Sequence, residues 1–158
     1  MLSKLLFASL SLYMILFFGS TEKEYSKEYY ENGTLKAEGW MEHNEKSGYW
    51  KYYYPNATLQ KKGPYYKGEA HGYWYFYSRE NKLLKEGHYK RGKENDWWVF
   101  HNGKDALKVQ YQNGQREGYA LVYEQNKLRK ALRYKHDKKV GEWTSLIRFK
   151  IDNPQVNF

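Results

Sequence analysis

The chain has 158 residues, with six Trp, 18 Tyr and seven Phe, 27 Lys plus Arg against 18 Asp plus Glu, and no Cys. That is one domain's worth of chain; the missing Cys excludes disulfides, thiolate metal ligands, a Cys nucleophile and a lipid-attachment Cys. Its apolar material sits mostly in rings with polar tips, which suits a half-wetted sheet better than a thick aliphatic core.

Residues 1–20 differ in kind from the rest. They carry one charge, Lys4, then an apolar run from Leu5 to Phe18 and the pair Gly19-Ser20. This reads as an export signal. The run is short for a bilayer span, yet bulky Phe17 and Phe18 stand where a signal peptidase prefers small side chains, so an uncleaved membrane anchor over residues 2–19 is the alternative. The expected location is therefore periplasmic, secreted or outer-envelope, or else membrane-anchored.

From residue 27 onward the chain repeats. Trp50, Trp74 and Trp98 recur at one fixed interval, and Leu35, Leu59 and Leu83 keep the same step, as do Gly39, Gly63 and Gly87. Three columns on one period mark an internal repeat, with about five units over residues 27–148, a closing partial unit at Glu142-Trp143, and a tail over residues 149–158 outside the pattern. Within a unit, Trp50 to Tyr54 alternates, Pro55 to Thr58 turns, Leu59 to Tyr66 alternates again, and Lys67 to Gly72 turns back. Asn-Gly at 32–33, 102–103 and 113–114, with Lys-Gly at 67–68 and Arg-Gly at 91–92, supplies the positive φ that tight hairpins demand. The expected fold is all-β: an elongated single-layer antiparallel meander of repeated hairpins, after an N-terminal hydrophobic signal helix.

Alternation assigns the faces. Trp50 and Tyr52 share a side, as do Trp74 and Phe76, and Trp98 and Phe100; on the return strands Leu59, Gly63 and Tyr65 fall together, matched by Leu83, Gly87 and Tyr89 and by Leu128, Leu132 and Tyr134. Each Gly is expected to leave space for a neighbouring indole to lie on the sheet. One face is then a ladder of Trp, Leu, Tyr and Phe, and the other is mixed Lys, Glu and Tyr. The units decay toward the end, where Ala120 replaces the Trp and the interval between units shortens.

The strings Tyr30-Glu-Asn-Gly-Thr-Leu35, Gly63-Pro-Tyr-Tyr-Lys-Gly68 and His71-Gly-Tyr-Trp-Tyr-Phe-Tyr77 resemble the bacterial variant of the MORN repeat, over residues 27–143. The resemblance implies an elongated twisted sheet of hairpins. Bacterial chains of this kind are often labelled antitoxins of the YwqK-like family, and eukaryotic relatives are implicated in membrane attachment and protein assembly. No residue-level functional signature comes with either role.

Catalytic constellations are scarce. His43, His71, His88, His101 and His136 fall in or near turns without metal-ligand spacing, no carboxylate pair is set apart for acid/base work, and no Gly-rich segment opens a helix to make a phosphate loop. The reading is a non-enzyme without cofactors or metal. Two surfaces are candidates for binding. The first is an aromatic face of Trp50, Tyr52, Trp74, Phe76, Trp98 and Phe100, expected to be only partly covered by the Leu rows and to serve a protein partner such as a toxin, or self-association. The second is a basic patch of Lys90, Arg91, Lys93, Arg129, Lys130 and Arg133, suited to an anionic membrane surface or envelope polymer. An export signal argues against nucleic acid.

Overall fold

A computed structural model describes residues 22–156; the export signal or anchor expected over residues 1–20 lies outside them. Twelve strands follow one another: β1 (Glu24–Tyr29), β2 (Leu35–Glu42), β3 (Glu45–Tyr53), β4 (Leu59–Tyr66), β5 (Glu69–Ala70), β6 (Gly72–Tyr77), β7 (Leu83–Lys90), β8 (Lys93–Asn102), β9 (Asp105–Gln112), β10 (Gln115–Glu124), β11 (Lys127–Lys135) and β12 (Lys138–Trp143). A short helix, α1 (Leu146–Asp152), ends the series. The strands form a single antiparallel meander in which each pairs with its neighbours in chain order; β5 and β6 are two pieces of one strand interrupted at His71.

Short turns dictate that order. At one end of the sheet the loops are two residues long with both φ positive, as at Lys67-Gly68 (49° and 73°), Arg91-Gly92 (52° and 72°) and Asn113-Gly114 (53° and 84°), which is the type I′ geometry whose twist matches that of paired strands. At the other end the first units use wider turns, closed by Tyr30 N–H to the Thr34 carbonyl (2.9 Å), Tyr54 to Thr58 (2.8 Å) and Ser78 to Lys82 (2.8 Å). The Tyr30 and Tyr54 hydroxyls then reach one unit ahead, donating to the carbonyls of Tyr53 (2.7 Å) and Tyr77 (2.9 Å).

Bulges decide which way the side chains face. Opposite Gly39, Gly63 and Gly87 the Trp-bearing strand carries two extra residues, and the residue two before each Trp has positive φ: Gly48 (63°), Gly72 (67°) and Asp96 (61°). Two extra residues preserve the alternation. By contrast, a single extra residue sits in the returning strand near the wide turns, at Lys36, Gln60 and Leu84, and after the two-residue turn Gln125-Asn126, at Arg129. One extra residue reverses it. Leu59 therefore pairs with Tyr53 while Gly63 pairs with Trp50, and Leu83 pairs with Tyr77 while Gly87 pairs with Trp74. Plain alternation groups these Leu residues with the Gly column; the bulge separates them. Leu128 packs with Tyr123 and Phe149 on one face and Leu132 with Val109 and Ala120 on the other.

The closing unit also departs from the simple repeat. Only Val140 is extra between β11 and β12, so Leu132 pairs with Glu142 and Trp143 pairs with Ala131. Trp143 thus lies on the face opposite Trp98. The residue eleven before Trp50, Trp74 and Trp98 is Gly, whereas the one eleven before Trp143 is Leu132, which leaves no room for an indole.

The segment beyond the repeats is not a loose tail. Ser145 caps α1, its side chain accepting from the Arg148 N–H. Phe149 is fully buried against Leu121 and Ala131, with Trp97, Tyr119, Tyr123, Leu128, Trp143 and Val156 around it. Tyr119 donates to the Asn153 side chain at 2.7 Å, and Trp143 donates to Asp152 at 2.9 Å. These contacts cover the last strands on the face opposite the main Trp row.

Candidate functional site

The aromatic face is built from the Trp–Gly fit upward. A Cβ added at Gly39, Gly63 or Gly87 would collide with three indole carbons of Trp50, Trp74 or Trp98 at nearly equal distances, so each indole lies face-on over the Gly of the preceding strand. The same bulge frees a carbonyl for each indole N–H: Trp50 donates to Trp40 (2.8 Å), Trp74 to Pro64 (3.0 Å) and Trp98 to His88 (2.9 Å). Desolvation of the indole nitrogen is thereby compensated.

Tyrosines stand edgewise between the indoles. Tyr65 meets Trp74 at 5.1 Å and 88°, and Tyr89 meets Trp98 at 4.9 Å and 82°, so ring edges point at ring faces along the row. The resulting strip is dry enough to move phenol ionisation. Burial, then the nearby Glu94 carboxylate, pushes Tyr89 up to about 12. Burial raises Tyr65 further still, helped by the hydrogen bond of 2.9 Å that it shares with Tyr52.

Above this strip lies a second row, in direct register across the strands. Tyr52 of β3 pairs with Lys61 of β4, Lys61 with Phe76 of β6, Phe76 with Lys85 of β7, and Lys85 with Phe100 of β8. Ring and cation alternate. The Lys61 ammonium lies 4.4 Å from the Tyr52 ring centre and 5.8 Å from Trp74, and Lys85 lies 4.7 Å from Phe76 and 5.0 Å from Trp98. Lys46 tops the first unit, 4.2 Å from Trp50, and reaches Glu28 at 3.4 Å. Among the described residues neither Lys61 nor Lys85 has a carboxylate within ion-pair distance. Burial lowers the Lys61 pKa below its ordinary value, and the charges of Lys46 and Lys85 lower it further. An open groove of about 430 Å³ follows this row, lined by Gln60, Lys61, Phe76, Leu84, Lys85 and Phe100 among others.

The six aromatic candidates thus divide by depth. Trp50, Trp74 and Trp98 are at most 2% exposed, so they are the core and not a surface, which corrects the expectation of a partly covered Trp stripe. Tyr52, Phe76 and Phe100 are half-buried and do reach the surface. The other face is the one expected to carry mixed Lys, Glu and Tyr, yet Lys46, Lys61 and Lys85 lie on this one. Their signal is present in the sequence, since Lys61 and Lys85 stand one repeat apart, each two positions before its Gly, Gly63 or Gly87.

The basic candidates are not one patch. Lys90, Arg91 and Lys93 crowd the tight turn between β7 and β8, whereas Arg129, Lys130 and Arg133 lie on β11, beyond β9 and β10. Arg129 and Lys130 are within ion-pair distance of Glu124 (3.8 Å) and Glu142 (3.5 Å), and Arg133 lies 5.7 Å from the Tyr119 ring centre.

Compared with models of known protein families and with curated proteins, the chain matches none.

Proposed function

We propose that the chain is a non-catalytic repeat protein of the MORN type, a protein-interaction scaffold of the cell envelope with an antitoxin-like or immunity-like role. The observation that carries this reading is the row Tyr52, Lys61, Phe76, Lys85 and Phe100: half-buried rings and cations with no carboxylate partner among the described residues, held in register on a core of fully buried Trp. Such a surface is preorganised, so a partner gains contact area without ordering the site. The test is crosslinking in envelope fractions of the native cells. The partner recovered with the wild-type chain should be lost with the Phe76→Ala/Phe100→Ala variant and kept with charge reversal at Lys90, Arg91 and Lys93.

The crowding of Lys90, Arg91 and Lys93 in one turn favours a second reading, peripheral attachment to anionic lipid or envelope polymer. That contact would weaken steeply with ionic strength and would fail on charge reversal of the turn. Export is part of both readings, and mass spectrometry of the native protein should find an N-terminus near Thr21.

A further inference from the structure

We propose that the groove over Lys61 and Lys85 takes an acidic peptide segment in polyproline II conformation, lying across the strands with a carboxylate at every third residue. The inference rests on the docking reading above and names the chemistry of the partner segment.

Charge argues first. Lys61 and Lys85 are half-buried and lack a carboxylate partner among the described residues, and burial first, then the charges of Lys46 and Lys85, hold the Lys61 pKa below its ordinary value. An anion between or above them relieves the repulsion among these cations. A second copy of this chain, pressed on by the same face, would instead bring lysines onto lysines.

Spacing argues second. Lys61 and Lys85 flank Phe76 in one cross-strand row and are two strands apart, which is about 9.6 Å at ordinary strand separation. A polyproline II chain advances about 9.3 Å in three residues and returns to the same side. An extended β-strand returns to one side after about 6.7 Å or 13 Å and misses one of the two cations. The rings argue third. Phe76 and Phe100 stand beside the Trp74 and Trp98 indoles on the same face, tilted 31° and 34° to them, and line the groove, so they offer apolar ring surface to proline rings between the acids, as aromatic-lined grooves do for proline-rich ligands.

Calorimetry on the full chain with a four-repeat Glu-Pro-Pro peptide tests this. Wild-type protein should bind it, Lys61→Gln/Lys85→Gln should weaken binding about tenfold, as expected for two partly screened charge pairs, and Phe76→Ala/Phe100→Ala should weaken it at least as much. Gln substitutions at Lys90, Arg91 and Lys93 should change it less than about twofold. A Glu-Pro peptide of equal charge, with its acids at alternate positions, should bind several-fold more weakly. Equal affinity for the two peptides, for a thymidine oligonucleotide of the same charge, or for the Lys61→Gln/Lys85→Gln variant overturns the proposal. No binding by the wild-type chain overturns the acidic-segment assignment alone, because the crosslinking test of the docking face does not use the peptide.

Discussion

Trp74 lies face-on over Gly63 and donates its indole N–H at 3.0 Å to the carbonyl of the next residue, Pro64. The pair shows how one layer of sheet makes a dry core. A missing side chain on one strand is filled by the largest side chain of the next, and the two-residue bulge that brings the indole over also exposes the carbonyl that satisfies it.

Gly63→Ala should therefore destabilise the fold by about 2–3 kcal/mol through overpacking against a ring that cannot retreat. Gly92→Ala, at φ 72° with open space around it, should lose only about 1 kcal/mol to backbone strain. Urea unfolding of the two variants checks the contrast. Equal losses would mean that Gly63 is kept for its backbone and not for its emptiness.

The chain already contains the reciprocal solution. Eleven residues before Ala120 stands Val109, and the two pack with Leu132 in a small aliphatic cluster. Trp98→Ala alone should cost about 3–5 kcal/mol. Adding Gly87→Val should recover at least about 1 kcal/mol, so a double-mutant cycle reports coupling between residues eleven apart.

Phe149 should hold α1 to the sheet. Phe149→Ala should cost about 3–5 kcal/mol and open the chain after Trp143 to proteolysis, whereas Ile147→Ala, at a side chain 77% exposed, should shift stability by less than about 0.5 kcal/mol. Limited digestion together with urea unfolding measures both.

Alkaline pH should unfold the protein through its tyrosines. Burial and nearby carboxylates raise Tyr53, Tyr73 and Tyr89 to about 12, from 10.0 for a free phenol. The folded state then binds more protons than the unfolded state between those values, so the stability they support is complete below pH 10 and is lost as pH rises toward 12. Lys61 has the opposite sign, since its lowered pKa makes deprotonation favour the fold, but it is one group against several. The tyrosinate absorbance of Tyr53, Tyr73 and Tyr89, read as the difference between wild type and the Tyr→Phe variant at each, should appear late and together with loss of the tertiary signal; their independent titration near pH 10 would contradict the burial that raises them.

The repeat, the meander of hairpins, the positive-φ turns and the match of each Gly to an indole are all written in the order of the residues. They follow from short-range chemistry: Gly and Asn fix tight turns, short turns force neighbours to pair, and a constant interval between Trp50, Trp74 and Trp98 repeats the result. Which face several side chains occupy emerges only in the folded sheet. A bulge of one residue reverses the alternation and a bulge of two preserves it, and the number absorbed depends on whether the residue across the strands leaves room. Gly87 admits Trp98 and Leu132 turns Trp143 away, although both Trp stand eleven residues on. Helix α1 is hidden from the sequence for a related reason: seven residues hold too little periodicity to announce a helix, and Phe149 is anchored by residues on β10, β11 and β12 that converge on it only once the sheet has formed.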